Sequence, residues 1–240
     1  MKKFSFYLLC TLLTSLFYSN SAKAVDNNLL TTLLKKHVKT NGLVDYKGIK
    51  ADEEMLNNYL GILKTNYPKD NWTKNEKLSY WINVYNAFTL KLVIDNYPVK
   101  SILDINEGKP WDLSFIKIGD KSYSLNQVEN DILRKDFNEP RIHFAINCAS
   151  ISCPNLLNRA FESATLNEQL ELVTRTFITN QSRNSITSTN VQISKIFDWF
   201  KADFEKVGGV IPFLNKYSKV KIHSTPNILY KDYNWNLNQL

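Results

Sequence analysis

One short segment of the sequence, residues 141–154, holds the residue types best suited to covalent chemistry. It contains His143, one of three histidines in the chain, and the two cysteines Cys148 and Cys153. A cysteine becomes a nucleophile when a neighbouring imidazole or the positive end of a helix lowers the pKa of its thiol. We therefore predict Cys148 as the nucleophile, because it directly follows the stretch that carries His143, which would act as its base.

The geometry of this pair depends on residues 141–147, whose apolar pattern reads as a short strand. On a straight strand His143 and Cys148 would face opposite sides, so the pair requires a sharp bend directly before Cys148. Cys153 is an alternative thiol. Pro154 at the first position of a helix would place Cys153 at the positive end of the helix dipole, which favours the thiolate.

A carboxylate could complete the site. Glu129 shares a predicted helical face with the apolar residues that should point inward, Leu125, Val128, Ile132 and Leu133. A buried carboxylate requires a partner. A bond from His143 to Glu129 would orient the imidazole as the acid does in a nucleophile, base and acid triad, whereas a bond to Arg141 would be a structural ion pair.

Three asparagines could contribute amide groups. Asn83 and Asn86 stand three residues apart on one face of an otherwise apolar helix, and Asn147 precedes Cys148. Buried amides must be hydrogen-bonded. They either fix neighbouring backbone, or one of them donates to a substrate or to a developing oxyanion.

The two cysteines also admit a structural interpretation. Four residues separate Cys148 from Cys153, so a turn could bring their Cα atoms within the ~4.4–6.8 Å that a disulfide requires. Either thiol could instead be a small, unreactive buried side chain. The spacing of these cysteines and His143 does not match a zinc site, so we predict no metal.

The composition excludes several other classes of protein. The 240 residues contain neither GxGxxG nor GxxxxGK[ST], and neither HExxH nor CxxC occurs. We therefore predict no cofactor. The net charge of +7 is spread along the chain rather than clustered, which favours a solubilising surface over nucleic-acid or membrane binding.

The first 24 residues have the pattern of a secretory signal peptide. Lys2 and Lys3 precede an apolar run to Phe17, and Ala22-Lys23-Ala24 resembles a cleavage site. We expect cleavage after Ala24 and a periplasmic or secreted protein, a location that permits a disulfide. No later segment approaches the roughly 20 apolar residues of a transmembrane helix.

The elements that must position the candidate residues are mostly helices. Periodicity and capping residues predict helices over 28–38, 52–63, 74–95, 124–134, 165–180 and 196–207, and hairpins over 115–124 and 185–193. Three of these helices begin at a predicted capping pair, Thr73 with Glu76, Ser124 with Gln127 and Thr165 with Glu168. The helix over 74–95 is apolar nearly all round, which indicates a buried central helix. We predict an α+β fold: a single, mainly helical domain over residues 25–240 with a small antiparallel sheet and an irregular segment over 219–240.

Several motifs in this order resemble the domain-of-unknown-function family 547. They are the runs Tyr80–Ala87, Tyr123–Arg134 and His143–Pro154, followed by Trp199 and Phe204. The resemblance covers most of residues 42–240. It implies no reaction, because the family has none established, and the leucine-zipper region of its plant members is absent. It does support attention to Asn86, Glu129, His143, Cys148 and Cys153.

Two functions fit these residues. The first is a cysteine-dependent hydrolase or acyl transferase acting on peptide or cell-envelope amides, with Cys148, His143 and Glu129 as the triad and Asn83, Asn86 or Asn147 near the oxyanion. The second is a non-enzymatic binding or scaffold domain in which a Cys148–Cys153 disulfide is structural. The sequence does not decide the oligomeric state.

Overall fold

A computed structural model describes residues 25–223 and 226–240 of the chain. The predicted signal peptide, residues 1–24, lies outside the described residues. The architecture is α+β and mainly helical, as predicted, with two small sheets. No helix of the described part combines the length and the apolar character that crossing a bilayer demands.

The first part of the described chain forms four helices, α1 (Asn28–His37), α2 (Tyr46–Ala51), α3 (Glu53–Thr65) and α4 (Lys74–Asp95). Helix α4 begins at the predicted capping box, where the Glu76 N–H donates to Thr73 Oγ1 (3.2 Å) and the Thr73 N–H donates to the Glu76 carboxylate (2.7 Å). Sixteen of its 22 residues are buried. This burial confirms α4 as the central helix of the fold.

The chain then forms a hairpin and a short irregular helix. Strands β1 (Ile116–Ile118) and β2 (Lys121–Tyr123) pair antiparallel, as predicted. The capping pair is also present, since the Gln127 N–H donates to Ser124 Oγ (3.1 Å). The helix that follows is π-helical over Gln127–Leu133 and ends in α5 (Arg134–Asp136), and such widened turns occur frequently at functional sites.

The remaining elements are α6 (Leu166–Thr179), the strands β3 (Ser185–Ile186) and β4 (Asn190–Ser194), the helices α7 (Ile196–Trp199), α8 (Lys201–Glu205) and α9 (Val210–Tyr217), and the strand β5 (Asn227–Lys231). β3 and β4 form the predicted hairpin. β5 adds to β4 in parallel within the predicted irregular segment, so this sheet is mixed rather than purely antiparallel.

The predicted strand over 141–147 is wrong. Pro140–Phe144 is a 3₁₀ helix, and the Ala145 N–H donates to the Ile142 carbonyl (2.9 Å). Pro140 fixes its own φ angle and has no N–H to give, which suits the first position of a helical turn. The apolar run reflects burial on every side of a helical turn, a pattern that periodicity alone does not distinguish from a buried strand.

Four further expectations need correction. The residues after Cys153 form no helix, so Pro154 does not place Cys153 at a helix N-terminus. The Thr165 side chain does not cap α6, and the predicted helix over 196–207 breaks at Phe200. Part of helix α2 lies in a stretch for which the sequence predicts neither a helix nor a strand. There, the Asp45 side chain accepts the Gly48 N–H (2.8 Å) and provides the cap.

One late segment lies directly over the cysteine-bearing loop. The Ile151 N–H donates to the Asn236 carbonyl (2.8 Å), and the Asn238 N–H donates to the Ala149 carbonyl (3.2 Å). Ser150 and Leu237 form an isolated bridge. These backbone bonds fix residues 233–238 against residues 149–152, which places the side chains of Tyr233 and Trp235 beside the cysteines.

Candidate functional site

Most of the predicted site residues face one open cleft of about 590 Å³. Its walls include Glu129, His143, Cys148, Cys153, Tyr233 and Trp235. The cleft lies between the π-helical turn, the loop after Phe144 and the segment over 233–238. The structure therefore places the thiols, the imidazole and the carboxylate on the wall of a single cavity.

The two cysteines are in direct contact. Both are free thiols, and Cys148 Sγ lies 2.7 Å from Cys153 Sγ. The Cys148 backbone N–H also donates to Cys153 Sγ (2.9 Å). Cys148 is partly exposed, whereas Cys153 is buried. A molecule entering the cleft would therefore meet Cys148 first, with Cys153 directly behind it.

Cys148 is the thiol that ionises more readily. Burial alone would raise its pKa, but hydrogen bonds from Cys153, Ser150 and Tyr233 outweigh burial and lower the pKa from 9.0 to about 7. The hydroxyl oxygens of Ser150 and Tyr233 each lie 3.3 Å from Cys148 Sγ. Hydrogen bonding to a charged form stabilises that form, so a substantial fraction of Cys148 is thiolate at neutral pH.

Cys153 behaves in the opposite way. Burial, followed by its contact with Cys148, raises the pKa of the Cys153 thiol well above its ordinary value. The pair therefore holds one proton strongly and one weakly. The result is an accessible thiol on Cys148 that ionises readily and a buried thiol on Cys153 that keeps its proton.

Buried amides hold the loop that brings the two cysteines together. Asn86 Nδ2 donates to the Ala145 carbonyl (2.9 Å), and Asn86 Oδ1 accepts the Asn147 N–H (2.9 Å). Asn147 Nδ2 reaches across the loop to the Pro154 carbonyl (2.7 Å), and its Oδ1 accepts the Ala149 N–H (2.9 Å). Because these side-chain amides already form hydrogen bonds with backbone groups, they are better suited to positioning the loop than to stabilising an oxyanion.

Asn83 is committed in the same way but farther from the cysteines. Its amide exchanges two hydrogen bonds with the Phe161 backbone, at 2.8 and 2.9 Å.

The cysteine-bearing loop has an unusual backbone conformation at Ala149, whose φ of 59° is left-handed. A non-glycine residue in this region costs conformational energy and persists only where its surroundings hold it. The Ala149 N–H donates to Asn147 Oδ1 and the Ala149 carbonyl accepts the Asn238 N–H, and these two bonds supply that restraint.

Replacing Asn86 with alanine should destabilise the fold. The change leaves the Ala145 carbonyl and the Asn147 N–H without their partner, and two unsatisfied buried groups cost about 2–4 kcal/mol. The free energy of unfolding in urea measures this loss. Asn58→Ala, on an exposed position of α3, is the matched control. A loss below about 1 kcal/mol would show that the clamp is dispensable.

Glu129 lies in the π-helical turn and has an altered pKa. Burial, followed by the charge of Cys148, raises the pKa of Glu129 from 4.5 to about 7, although Arg134 and a hydrogen bond from Tyr85 oppose the shift. Its side chain has no ion pair with either predicted partner. Arg141 instead pairs with Glu139 (2.6 Å) and Glu171 (2.8 Å).

This shift predicts the sign of a pH effect on stability. Ionising Glu129 is disfavoured in the folded state, so its contribution to the free energy of unfolding falls as pH rises from 4.5 to about 7. Glu129→Gln should therefore raise the melting temperature at pH 8 and leave it nearly unchanged at pH 4. Glu54→Gln, an exposed residue of α3, is the control. Equal melting temperatures of wild type and Glu129→Gln at pH 8 would contradict the expectation.

His143 has a different carboxylate partner from the one expected. Its Nε2 lies 2.9 Å from Asp203 Oδ2, and its ring stacks on Phe200 with centroids 3.9 Å apart. Asp203 also accepts from Arg134 (2.6 Å) and Lys206 (2.9 Å). Burial lowers the pKa of His143 despite the opposing effect of Asp203, so the imidazole is neutral at pH 7. A neutral ring donates Nε2–H to Asp203 and leaves Nδ1 as an acceptor, and Nδ1 has no partner.

His143 forms no hydrogen bond with either cysteine among the described contacts, so the expected thiol–imidazole bond is not present. The structure adds Tyr233, Ser150 and Asp203 to the site. Tyr233 falls in a segment that the sequence pattern leaves irregular. Asp203 lies in the run predicted as one continuous helix over 196–207, where an acidic residue resembles ordinary surface charge.

Within residues 25–223 and 226–240, no group of three or more His, Cys, Asp or Glu side chains is arranged to hold a metal ion. The cleft brings together an accessible thiol of lowered pKa, a second thiol, hydroxyl donors, an imidazole and a carboxyl group with a pKa of about 7.

Among known proteins, one family model is similar to part of the chain. Residues 69–178 match the model described as "Protein of unknown function, DUF547". The match is shorter than the span of 42–240 expected from the motifs. It includes α4, the π-helical turn and both cysteines, and it ends before Asp203 and Tyr233. No curated protein and no solved structure matches the chain.

Proposed function

We propose that this chain, which resembles the DUF547 family over residues 69–178, is a thiol–disulfide oxidoreductase. In this proposal Cys148 is the attacking thiol and Cys153 is the resolving thiol. The observation that carries the proposal is the contact of 2.7 Å between the two sulfurs. An accessible cysteine of lowered pKa beside a second cysteine is the arrangement that reversible disulfide exchange uses.

The reaction has two displacement steps. The Cys148 thiolate attacks one sulfur of a substrate disulfide, forms a mixed disulfide and releases the first substrate thiolate. Cys153 then loses its proton and attacks Cys148 Sγ, which forms the Cys148–Cys153 disulfide and releases the second substrate thiolate. Two electrons pass from the protein dithiol to the substrate, and a dithiol reductant must regenerate the enzyme.

Two groups in the cleft support the second step. The Cys148 N–H, 2.9 Å from Cys153 Sγ, stabilises negative charge as it develops on that sulfur. Glu129 lines the same cleft and has a pKa of about 7, so its carboxylate is suited to accept the proton near neutral pH. Glu129 therefore acts as the base in this proposal rather than as the orienting acid of a triad.

The walls of the cleft favour a peptide disulfide with apolar neighbours. Trp199 stacks on Trp235 with centroids 5.8 Å apart, and Tyr233 lies 4.5 Å from Trp235. Aromatic side chains contribute large contact areas to binding. Export through residues 1–24 is part of the proposal, because a compartment that permits disulfides supplies substrates of this kind.

A cysteine hydrolase or acyl transferase is the second candidate. The observation in its favour is that His143, which lines the cleft with Cys148, is paired with Asp203 through Nε2 and keeps an unpartnered Nδ1. Against it, His143 forms no bond to a thiol, and the Cys148 N–H, a natural oxyanion donor, is committed to Cys153. The structural-disulfide interpretation predicts no turnover of any substrate.

The proposal is tested by following the oxidation of the purified protein with oxidised glutathione. All samples carry Cys10→Ser, because Cys10 would add a third thiol. We expect an intact mass lower by two hydrogens, release of both glutathione thiols, and full recovery of the starting mass with dithiothreitol. Cys148→Ser is the control and should release none.

The alternatives give different results in the same assay. A hydrolase would cleave an acyl ester of p-nitrophenol and would keep that activity in Cys153→Ser, whereas the proposed oxidoreductase requires both sulfurs. A mass that glutathione does not change, or a disulfide that dithiothreitol does not reduce in the folded protein, would overturn the proposal.

A further inference from the structure

A second groove lies apart from the cysteine cleft and shares none of its lining residues. It is formed by residues 39–40, the segment 155–159 and one face of α6, and it encloses about 730 Å³ of space open to solvent. Nothing in the proposed redox chemistry uses these residues. The groove therefore requires an explanation of its own.

The groove has an apolar wall. Leu156, Val173 and Phe177 are buried beneath it, and Leu172 on α6 remains 46% exposed. Leu172 is among the most exposed large apolar side chains of the described chain. An apolar ligand that covers Leu172 would gain the free energy of burying this side chain, so the wall offers a contact surface for the apolar part of a ligand.

Two unpaired cations border this wall. Lys39 and Arg159 line the groove, and neither forms an ion pair or a side-chain hydrogen bond with any described residue. By contrast, Arg134, Arg141 and Arg175 each have a carboxylate within 4.0 Å. No Asp or Glu lines the groove. The groove is therefore positive, and its charge has no internal partner.

The turn that carries Lys39 is fixed in place. Gly42 has a φ of +84°, and a Cβ at this position would lie 2.6 Å from the Asn155 side chain. The turn over 39–42 therefore packs directly on the segment that carries Arg159, and the Gly42 N–H closes it by donating to the Lys39 carbonyl (2.9 Å). The two cation-bearing segments are held against each other before any ligand binds.

From the apolar wall, the unpaired cations and the absence of a lining carboxylate, we infer that this groove binds an amphiphilic carboxylate of the fatty-acid type. Its tail packs on Leu172, Val173 and Phe177, and its carboxylate binds Lys39 and Arg159 by charge-assisted hydrogen bonds. This site is independent of the proposed thiol chemistry, so either assignment can fail without the other.

The test is calorimetric titration of the full chain with dodecanoate and with dodecanol, its uncharged counterpart. The double variant Lys39→Ala, Arg159→Ala should weaken dodecanoate binding about tenfold or more while dodecanol binding is unchanged. Leu172→Ser should weaken both ligands. Lys64→Ala with Lys74→Ala, two exposed lysines outside the groove, is the charge-matched control and should change neither affinity.

Three outcomes would overturn the inference. The first is no saturable binding of dodecanoate to the wild-type chain. The second is an affinity for dodecanoate in the Lys39, Arg159 double variant equal to that of the wild type. The third is a loss of affinity in the Lys64, Lys74 control as large as that in the Lys39, Arg159 double variant. The last would show that net charge rather than this groove governs the affinity. Because Lys39 and Arg159 are exposed and unpaired, a melting curve should confirm that the double variant stays folded.

Discussion

Cys153→Ser is expected to stop the reaction at the mixed disulfide. Cys148 still attacks oxidised glutathione, but the serine hydroxyl cannot displace the bound thiol, so the adduct on Cys148 accumulates. Without added reductant, release of the second glutathione thiol should fall about a hundredfold or more, the scale on which loss of a covalent participant acts. Intact mass under non-reducing conditions detects the glutathione adduct directly.

The partner variant separates the roles of the two sulfurs. Cys148→Ser should form no adduct, because Cys153 is buried and burial holds its pKa well above the ordinary value. An adduct on Cys153 in this variant would reverse the assignment of attacking and resolving thiol. A Cys153→Ser variant that forms no glutathione adduct and remains fully active would instead show that Cys153 has no part in the mechanism. That result would favour hydrolase chemistry.

The rate at which iodoacetamide alkylates Cys148 should rise with pH to a half-maximum at about 7. Tyr233→Phe and Cys153→Ala each remove a hydrogen-bond donor to the thiolate, so the midpoint should move up toward 9.0. A full return to 9.0 would lower the rate at pH 7 about fiftyfold, since only about 1% of the thiol would then be ionised. Ultraviolet absorbance of the thiolate gives an independent titration.

The matched control for this profile is Tyr230→Phe, because Tyr230 lies on β5 and does not contact Cys148. It should leave the midpoint unchanged. A wild-type midpoint at or above 9 would show that the donors do not outweigh burial. An unchanged midpoint in both Tyr233→Phe and Cys153→Ala would remove the hydrogen-bond explanation for the lowered pKa.

Local signals in the sequence sufficed for elements whose ends are defined by nearby residues. Thr73 and Glu76 determine the start of α4 through contacts three residues apart. Gly119, with a φ of 56°, turns the first hairpin where the sequence analysis expects it. The buried central position of α4 also follows from its apolar residues, because an all-round apolar helix must be enclosed.

The errors concern features that depend on distant parts of the chain. Pro140–Phe144 is helical although its apolar residues resemble a strand, because the surrounding rings of Phe177 and Phe197 bury Phe144 on several sides. β5 exists because β4 provides an edge. The break at Phe200 lets its ring stack on His143. None of these causes is visible in a window of neighbouring residues.

The candidate site shows the same difference between local features, which were predicted, and distant contacts, which were not. Cys148, Cys153, His143 and Glu129 have residue types that attract attention by themselves, and they share one cleft. Their partners were not predictable from the sequence. His143 contacts Asp203, which lies 60 positions away, and Cys148 contacts Tyr233, which lies 85 positions away. Such contacts depend on the path of the chain rather than on the composition of any motif.

The docking of residues 233–238 over the cysteine loop has a consequence for the assembly of the site. Cys148 and Cys153 precede Tyr233 in the chain, so a chain whose C-terminal segment is undocked carries both sulfurs without the hydroxyl donor and without the backbone bonds that join the loop to Asn236 and Asn238. Residues 233–238 must therefore dock before the Cys148 thiolate gains its full stabilisation. Folding of the C-terminal segment and reactivity of Cys148 are coupled in this way.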